Sequence, residues 1–430
     1  MSGRSGVRDD WKKSLPGPEN IHREVLSNGI TILARSNFSS PSVTISGFVK
    51  SGSMLDPEAK LGLADFTTSA LMRGTQKHSF DALYSALESV GASLGLDSGM
   101  NTTGFHGHAL SEDLPLLIRL LSEVLREPTF PAKEIEKLRH NLLTGLAIRA
   151  QDTADMADLS FDSILYRGHP YARPEDGYPK TIKAIRREDL VRFHKASFGP
   201  KGMVMVVVGA VDPKKAAEVV HRALGSWKNA AQVVCEPPGD PRPLRQTTRR
   251  HHKIAGKAQA DLIVGTNGPR RTDPLWLPAS LGNSVLGQFG MMGRIGKSVR
   301  EESGLAYYAY SSVSSGLGPG AWTVSAGVNP TNVEKATELI TRELRGFVAR
   351  GVTPEELADN KANFVGRLPL SLESNAGVAS ALLNIERYQL GMDYYQRYAS
   401  RIRGITREQV QEAARKFIDP DRLVIASAGP

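Results

Sequence analysis

The chain contains itself twice. Ile185, Arg187, Glu188, Pro200, Val204 and Gly209 recur as Ile405, Arg407, Glu408, Pro420, Val424 and Gly429, each pair 220 residues apart. Glu134 and Asn141 recur as Glu356 and Asn363 at a separation of 222. Each copy runs from a helical stretch through a proline-marked turn into a short apolar strand. A constant separation across most of each half implies an internal duplication, so both halves must fold alike. At 430 residues the chain also exceeds what one core usually supports, and two tandem domains are expected.

The boundary between them is marked. Pro237, Pro238, Pro241 and Pro243 crowd around Gly239, which stiffens and exposes the backbone as a linker requires. This gives an N-terminal extension over residues 1–20, a first domain over 21–230, a proline-rich linker over 231–250 and a second domain over 251–430. Within the halves, Val43, Ile45, Gly47 and Val49 alternate with Thr44, Ser46 and Phe48 at strand period. Leu63, Phe66, Ala70 and Leu71 recur at helix spacing, as do Leu114, Leu117, Ile118, Leu121 and Val124. Thr353-Pro354-Glu355-Glu356 is a capping box with proline at the first helical position. Paired strands followed by runs of helices predict an α+β architecture, each domain a mainly antiparallel sheet with helices packed on one face.

Composition narrows the function. A chain 40% hydrophobic and 23% charged is globular rather than disordered. The net charge of +9 is compatible with an anionic partner, but no dense Lys/Arg run with interleaved aromatics accompanies it. Arg249-Arg250-His251-His252-Lys253 comes nearest and reads as a solvated junction between domains, so no nucleic-acid partner is expected. The single cysteine, Cys235, excludes an intrachain disulfide and any multi-cysteine metal site. Arg4, Arg8, Lys12 and Lys13 precede no apolar core, so no signal peptide is expected and the reading is a cytoplasmic chain. Met203 to Val208 is too short to span a bilayer and reads as a buried strand, leaving no membrane association expected.

Gly62-Leu63-Ala64-Asp65-Phe66-Thr67-Thr68-Ser69-Ala70-Leu71-Met72-Arg73-Gly74-Thr75 resembles the signature of the pitrilysin, insulinase and mitochondrial-processing-peptidase family, G-L-A-H-F-x-E-H-x-x-x-[KR]-G-T. Leu26, Asn28 and Gly29, His169-Pro170-Tyr171 and the stretch from Ile185 to Gly209 resemble further landmarks, so the resemblance covers the chain beyond residue 20. It implies a duplicated fold forming half of a clamshell. In H-x-x-E-H the two histidines share a helical face and grip one zinc, while the glutamate takes a proton from zinc-bound water. A third ligand, a glutamate, lies roughly 75 residues downstream. Here those positions hold Asp65, Thr68, Ser69 and Gly145. A hydroxyl and a glycine add almost nothing to zinc affinity at neutral pH, so no catalytic residue and no metal is expected in this chain. His106 and His108, two apart and on one face if the segment is a strand, are with Asp65 the alternative metal site, weighed against ordinary surface histidines.

A second stretch, Arg300-Glu301-Glu302-Ser303-Gly304-Leu305-Ala306-Tyr307, resembles the family's R-E-x-x-G-L-A-Y. The resemblance implies that Arg300 and Tyr307 bind substrate and meet charge developing on the scissile carbonyl; a guanidinium and a phenol are suitable donors. The alternative is that Arg300 pairs with Glu301 and Tyr307 packs on a strand. Gly316-Leu317-Gly318-Pro319-Gly320 reads as a hairpin turn, with a flexible substrate loop as the alternative. Together these imply a non-catalytic subunit of a heterodimeric zinc metalloendopeptidase. Its zinc would sit in a paralogous partner and its ligand would be an extended peptide; such chains can self-associate as homodimers when the partner is absent, which leaves the oligomeric form open. The runner-up is a purely structural subunit, like the core proteins of the cytochrome bc complex.

Overall fold

A computed structural model describes residues 14–430, and the basic residues Arg4, Arg8, Lys12 and Lys13 lie outside that range. The first repeat supplies strands β1 (His22–Val25), β2 (Thr31–Ser36), β3 (Ser42–Val49), β4 (Ser93–Ser98), β5 (Thr103–Leu110) and β6 (Val204–Gly209). Its helices are α1 (Leu63–Leu71), α2 (Phe80–Glu88), α3 (Leu114–Arg126), α4 (Ala132–Arg149), α5 (Thr153–Leu165), α6 (Pro179–Ala184), α7 (Arg187–Ser197) and α8 (Pro213–Leu224). The second repeat supplies β7 (Thr248–Lys253), β8 (Ala260–Asn267), β9 (Ala306–Val313), β10 (Ala321–Val328) and β11 (Val424–Gly429). Its helices are α9 (Trp276–Gly287), α10 (Val333–Arg350), α11 (Pro354–Ser371), α12 (Asn375–Arg387), α13 (Tyr394–Gly404) and α14 (Arg407–Phe417).

The duplication is structural. One sheet runs β1-β2-β6-β3-β5-β4 and the other β7-β11-β8-β10-β9. In both, the last strand lies parallel to the first of the shared set (β6 on β2, β11 on β7), and all other pairings are antiparallel. Helix bounds repeat at the separations seen in sequence: α4 and α11 start at 132 and 354, α5 and α12 at 153 and 375, α7 and α14 at 187 and 407. The Thr353 capping box forms as expected, with the Thr353 amide donating to Glu356 Oε2 at 2.7 Å and the Glu356 amide to Thr353 Oγ1 at 3.2 Å.

The compact units are not contiguous in sequence. Among the described residues, one comprises 14–146, 174–236 and 368–397; the other comprises 147–173, 237–367 and 398–430. Hence α12, from the second repeat, packs on β6 and β3, while α5, from the first, packs on β11 and β8. Strand alternation explains what these helices do. Leu262, Val264 and Ile425 face one core, whereas Ile263, Val424, Ala426 and Ala428 face a second core built on Ala157, Phe161 and Ile164 of α5. Most helices cover one face of each sheet, and the exchanged helix covers the middle of the other, which is why β6 and β11 are buried throughout.

The basic stretch Arg249–Lys253 is not a junction. It is β7, an edge strand, with Arg249 paired to Glu334 at 2.7 Å, and charge on an edge discourages further strand pairing. Among the described residues, no helix is long and apolar enough to cross a membrane.

Candidate functional site

Helix α1 carries the signature residues, and its start is held from outside. Gly62 adopts φ 90°, and a Cβ there would stand 2.7 Å from Ile182 Cδ1 and 2.8 Å from the Asp176 carbonyl oxygen, so only glycine fits. Asp56 accepts from the amides of Gly62 (2.8 Å) and Ala64 (2.9 Å), satisfying donors that open the helix. Other carboxylates crowd the same end. Burial pushes Asp65 up to about 6, with Asp176 adding to the effect, and pushes Glu175 up to about 7, with Asp65 and Asp176 adding to it.

Of the remaining signature positions, only Thr68 is absorbed into packing. Thr68 is 1% exposed, and its hydroxyl lies 3.3 Å from that of Thr103, which donates to the Ser51 carbonyl at 3.0 Å. Ser51 in turn donates to Ser197 at 2.9 Å, so Thr68 belongs to a buried hydroxyl chain. Ser69 is half-buried. Gly145 is exposed on α4, with open space where a side chain would project. These residues do not fit a catalytic zinc: one carboxylate is present, one hydroxyl is committed to the core and the fourth position has no donor.

His106 and His108 do share the outer face of β5. Each, however, is turned to its neighbour on β4, His106 Nδ1 lying 3.4 Å from Asp97 and His108 Nδ1 2.7 Å from Ser93 Oγ. Among the described residues, no group of three or more His, Cys, Asp or Glu is arranged to hold a metal ion.

In the second unit, Arg300 lies in a π-helical stretch, Gly296–Glu302, just before β9. Arg300 is half-buried, and its guanidinium has no hydrogen-bond or ion-pair partner among the described residues, so the expected alternative of an Arg300–Glu301 pair is not made. Tyr307 is 76% exposed on β9, which is the edge of its sheet. Opposite it the register slips: Tyr308 pairs with Gly327, but Ala306 pairs with Val328, leaving Tyr307 as the extra residue of a β-bulge. A bulge is a standard way to aim one side chain off a sheet.

What fixes this bulge was not read from the sequence. Tyr308, Gly327 and Asp261 lie in one row across β9, β10 and β8. The Tyr308 ring crosses Gly327, where a Cβ would stand 2.5 Å from Cε1, and its hydroxyl donates to Asp261. Thr153, at the start of the exchanged helix α5, donates to the same carboxylate, as does Gln259 Nε2 at 3.0 Å. The available signal was one acid, 4% exposed, inside the apolar run Ala260–Gly265.

The glycine-rich segment 316–320 joins β9 to β10, as a hairpin turn should, and it is pinned. Gly268 donates to the Gly320 carbonyl at 2.8 Å, and Tyr171 of the His169-Pro170-Tyr171 landmark packs where a Gly318 side chain would be. His169 Nε2 lies 3.1 Å from the Gly239 carbonyl, tying the landmark to the proline-rich segment.

Two family models match. Residues 31–175 match insulinase (peptidase family M16), and residues 184–364 match the peptidase M16 inactive domain. An uncharacterised zinc protease of Streptomyces coelicolor is 27% identical over 412 residues, covering 94% of this chain and 89% of that one. Subunit 1 of the human mitochondrial cytochrome b-c1 complex is 24% identical over 270 residues, covering 62% of this chain and 55% of that one. A crystal structure of a peptidase M16 inactive domain from Pseudomonas fluorescens superposes with a TM-score of 0.87 at 27% identity, covering 96% of this chain and 98% of that one. With both halves of the fold matched to one family along nearly the whole chain, the protein belongs to the pitrilysin/insulinase family of peptidases.

Proposed function

We propose that this chain is the non-catalytic, peptide-holding subunit of a two-chain zinc endopeptidase, and that a paralogue with an intact H-x-x-E-H supplies the zinc and the base. The observation that carries the reading is a contrast within the molecule. The signature hydroxyl of Thr68 is spent inside the core, whereas Arg300 is unpaired and Tyr307 stands 76% exposed on a bulge. An unpaired guanidinium and an exposed phenol each offer donors suited to peptide carbonyls and to a developing oxyanion. The edge strand β9 has one side free for an extended peptide to join by strand addition.

The test is reconstitution with a paralogue from the same genome that retains H-x-x-E-H. Hydrolysis sensitive to chelators is expected from the pair and not from this chain, whether monomeric or self-associated. Arg300→Ala is expected to lower kcat/KM of the pair at least tenfold, about 1.4 kcal/mol, with assembly unchanged. Chelator-sensitive cleavage by this chain alone overturns the proposal. A fully active Arg300→Ala pair favours the second reading, a purely structural subunit, which the similarity to the b-c1 complex subunit supports.

A further inference from the structure

The two sheets differ by one strand, and the difference bares an edge. β2 in the first repeat and β7 in the second hold equivalent places, each parallel to the last strand of its repeat, with Thr31 opposite Val204 and Thr248 opposite Val424. The flanking hydrogen bonds repeat as well. Thr31 donates to the Met203 carbonyl and Thr248 to that of Leu423, both at 2.9 Å; Asn37 donates to the Gly209 carbonyl and Ile254 to that of Gly429, both at 2.7 Å. On the outer side of β2 lies β1, antiparallel, with Glu24 opposite Ile32 and His22 opposite Ala34. Among the described residues no strand lies on the outer side of β7, which ends its sheet.

The sequence explains why that place is unfilled. Carried over at the separation of Thr31 from Thr248, the residues that would repeat β1 are Gly239, Asp240, Pro241 and Arg242. Pro241 stands for Glu24 and has no N–H to give to a ladder. The segment is held elsewhere: Arg270 donates to Asp240 Oδ1 at 2.7 Å and to the Pro238 carbonyl at 3.2 Å. The edge it leaves is open. A strand in a parallel pair turns the N–H and C=O of alternate residues to its neighbour. Because Thr248 and Ile254 bond toward β11, it is Arg249, His251 and Lys253 that turn theirs outward, as Ile32 and Ala34 do toward β1.

Charge along the edge selects what can fill it. Between Asp240 and Asp261 the chain holds Arg242, Arg245, Arg249, Arg250, Lys253 and Lys257 and no carboxylate. Glu334 neutralises Arg249, but exposed Arg250 donates only to the neutral Ser163 hydroxyl, at 2.8 Å, and Lys253 is exposed without an ion pair among the described residues. A second copy of β7 would set like charges opposite one another, which destabilises a strand pair. We propose that β7 is a docking strand for an extended acidic segment of a partner protein, which adds antiparallel to it as a sixth strand, in the place β1 takes in the first sheet. Main-chain hydrogen bonds supply the affinity, and carboxylates beside Arg250 and Lys253 supply the selectivity. This inference does not rest on the peptide-holding reading, which concerns β9 at the other end of the sheet.

The test titrates labelled probes into the full chain by fluorescence anisotropy. They are a peptide of alternating threonine and glutamate, its threonine–glutamine counterpart, its fully N-methylated counterpart (same charge, no backbone N–H) and a single-stranded oligonucleotide of equal net charge. The threonine–glutamate peptide is expected to bind at least tenfold more tightly than each of the others. When it is bound, amide exchange is expected to slow across Thr248–Lys253 and to stay unchanged along Ala306–Val313. Arg250→Gln with Lys253→Gln, both exposed, is expected to weaken its binding at least fivefold without altering the circular dichroism or the thermal transition of the free chain. Equal binding of the glutamine peptide, or no binding of the acidic one, overturns the proposal. Equal binding of the N-methylated peptide or the oligonucleotide also overturns it, because the edge is then a patch for any polyanion. So does slowed exchange in β9 in place of β7.

Discussion

Asp65 stands where a metal ligand stands in the family signature, yet its surroundings punish its charge. It sits partly buried near Glu175 and Asp176, and its carboxyl is pushed from 3.8 up to about 6. A negative charge in the first turn of α1 gains from the helix dipole, but that gain is about 0.3–1 kcal/mol. One pKa unit corresponds to about 1.4 kcal/mol, so desolvation wins. The sign follows from linkage. The folded chain holds this proton more tightly than the unfolded chain, so stability falls as pH rises from about 4 through about 6. Asp65→Asn removes the term. The expected outcome is a variant about 1–2 kcal/mol more stable than the parent at pH 7.5 and no more stable at pH 4, read by urea unfolding at both values. A difference independent of pH, or one that shrinks as pH rises, contradicts this account of the residue.

At the scale of elements, the row Tyr308–Gly327–Asp261 ties the edge strand β9 to β8 across β10. Tyr308→Phe leaves a buried carboxylate one donor short, at a cost of about 1–3 kcal/mol. Gly327→Ala drives a methyl into the Tyr308 ring. Both are expected to speed amide exchange along Ala306–Val313 more than in β11; unchanged exchange in β9 shows that the row does not hold the bulge. The strand at Val43–Val49, the helices beginning at Leu63, Leu114 and Pro354, and the hairpin at Gly316–Gly320 announce themselves through local periodicity, capping and glycine. Arg249–Lys253 does not, because a charged edge strand lacks the apolar alternation by which strands are recognised. The bulge at Tyr307 was equally hidden, because register depends on partners far along the chain. Arg300 and Tyr307 were singled out through the family resemblance, whereas the lack of an ion-pair partner for Arg300 and the exposure of Tyr307 required coordinates.

For the whole molecule, the consequence lies in the exchanged helices. Amphipathic periodicity announces that α12 must bury Val378, Ala379, Leu382 and Ile385, but nothing in that pattern says which sheet receives them. In fact it caps the sheet of the first repeat, and α5 caps that of the second. The proline-rich segment therefore divides the sequence into two repeats without dividing the molecule into two self-sufficient cores. Burying three large aliphatic side chains and their alanine neighbours contributes on the order of 5–10 kcal/mol, comparable with the total stability of a typical domain. A fragment of residues 1–240 lacks α12 and exposes the outer faces of β3 and β6; a fragment of 241–430 lacks α5 and leaves Asp261 without Thr153. Each fragment produced alone is expected to aggregate or to unfold without a cooperative transition. Produced together, they are expected to associate and recover the circular dichroism and a single thermal transition of the intact chain. If either fragment is monomeric and unfolds cooperatively by itself, the exchanged helix is an accessory to its sheet and not a part of its core.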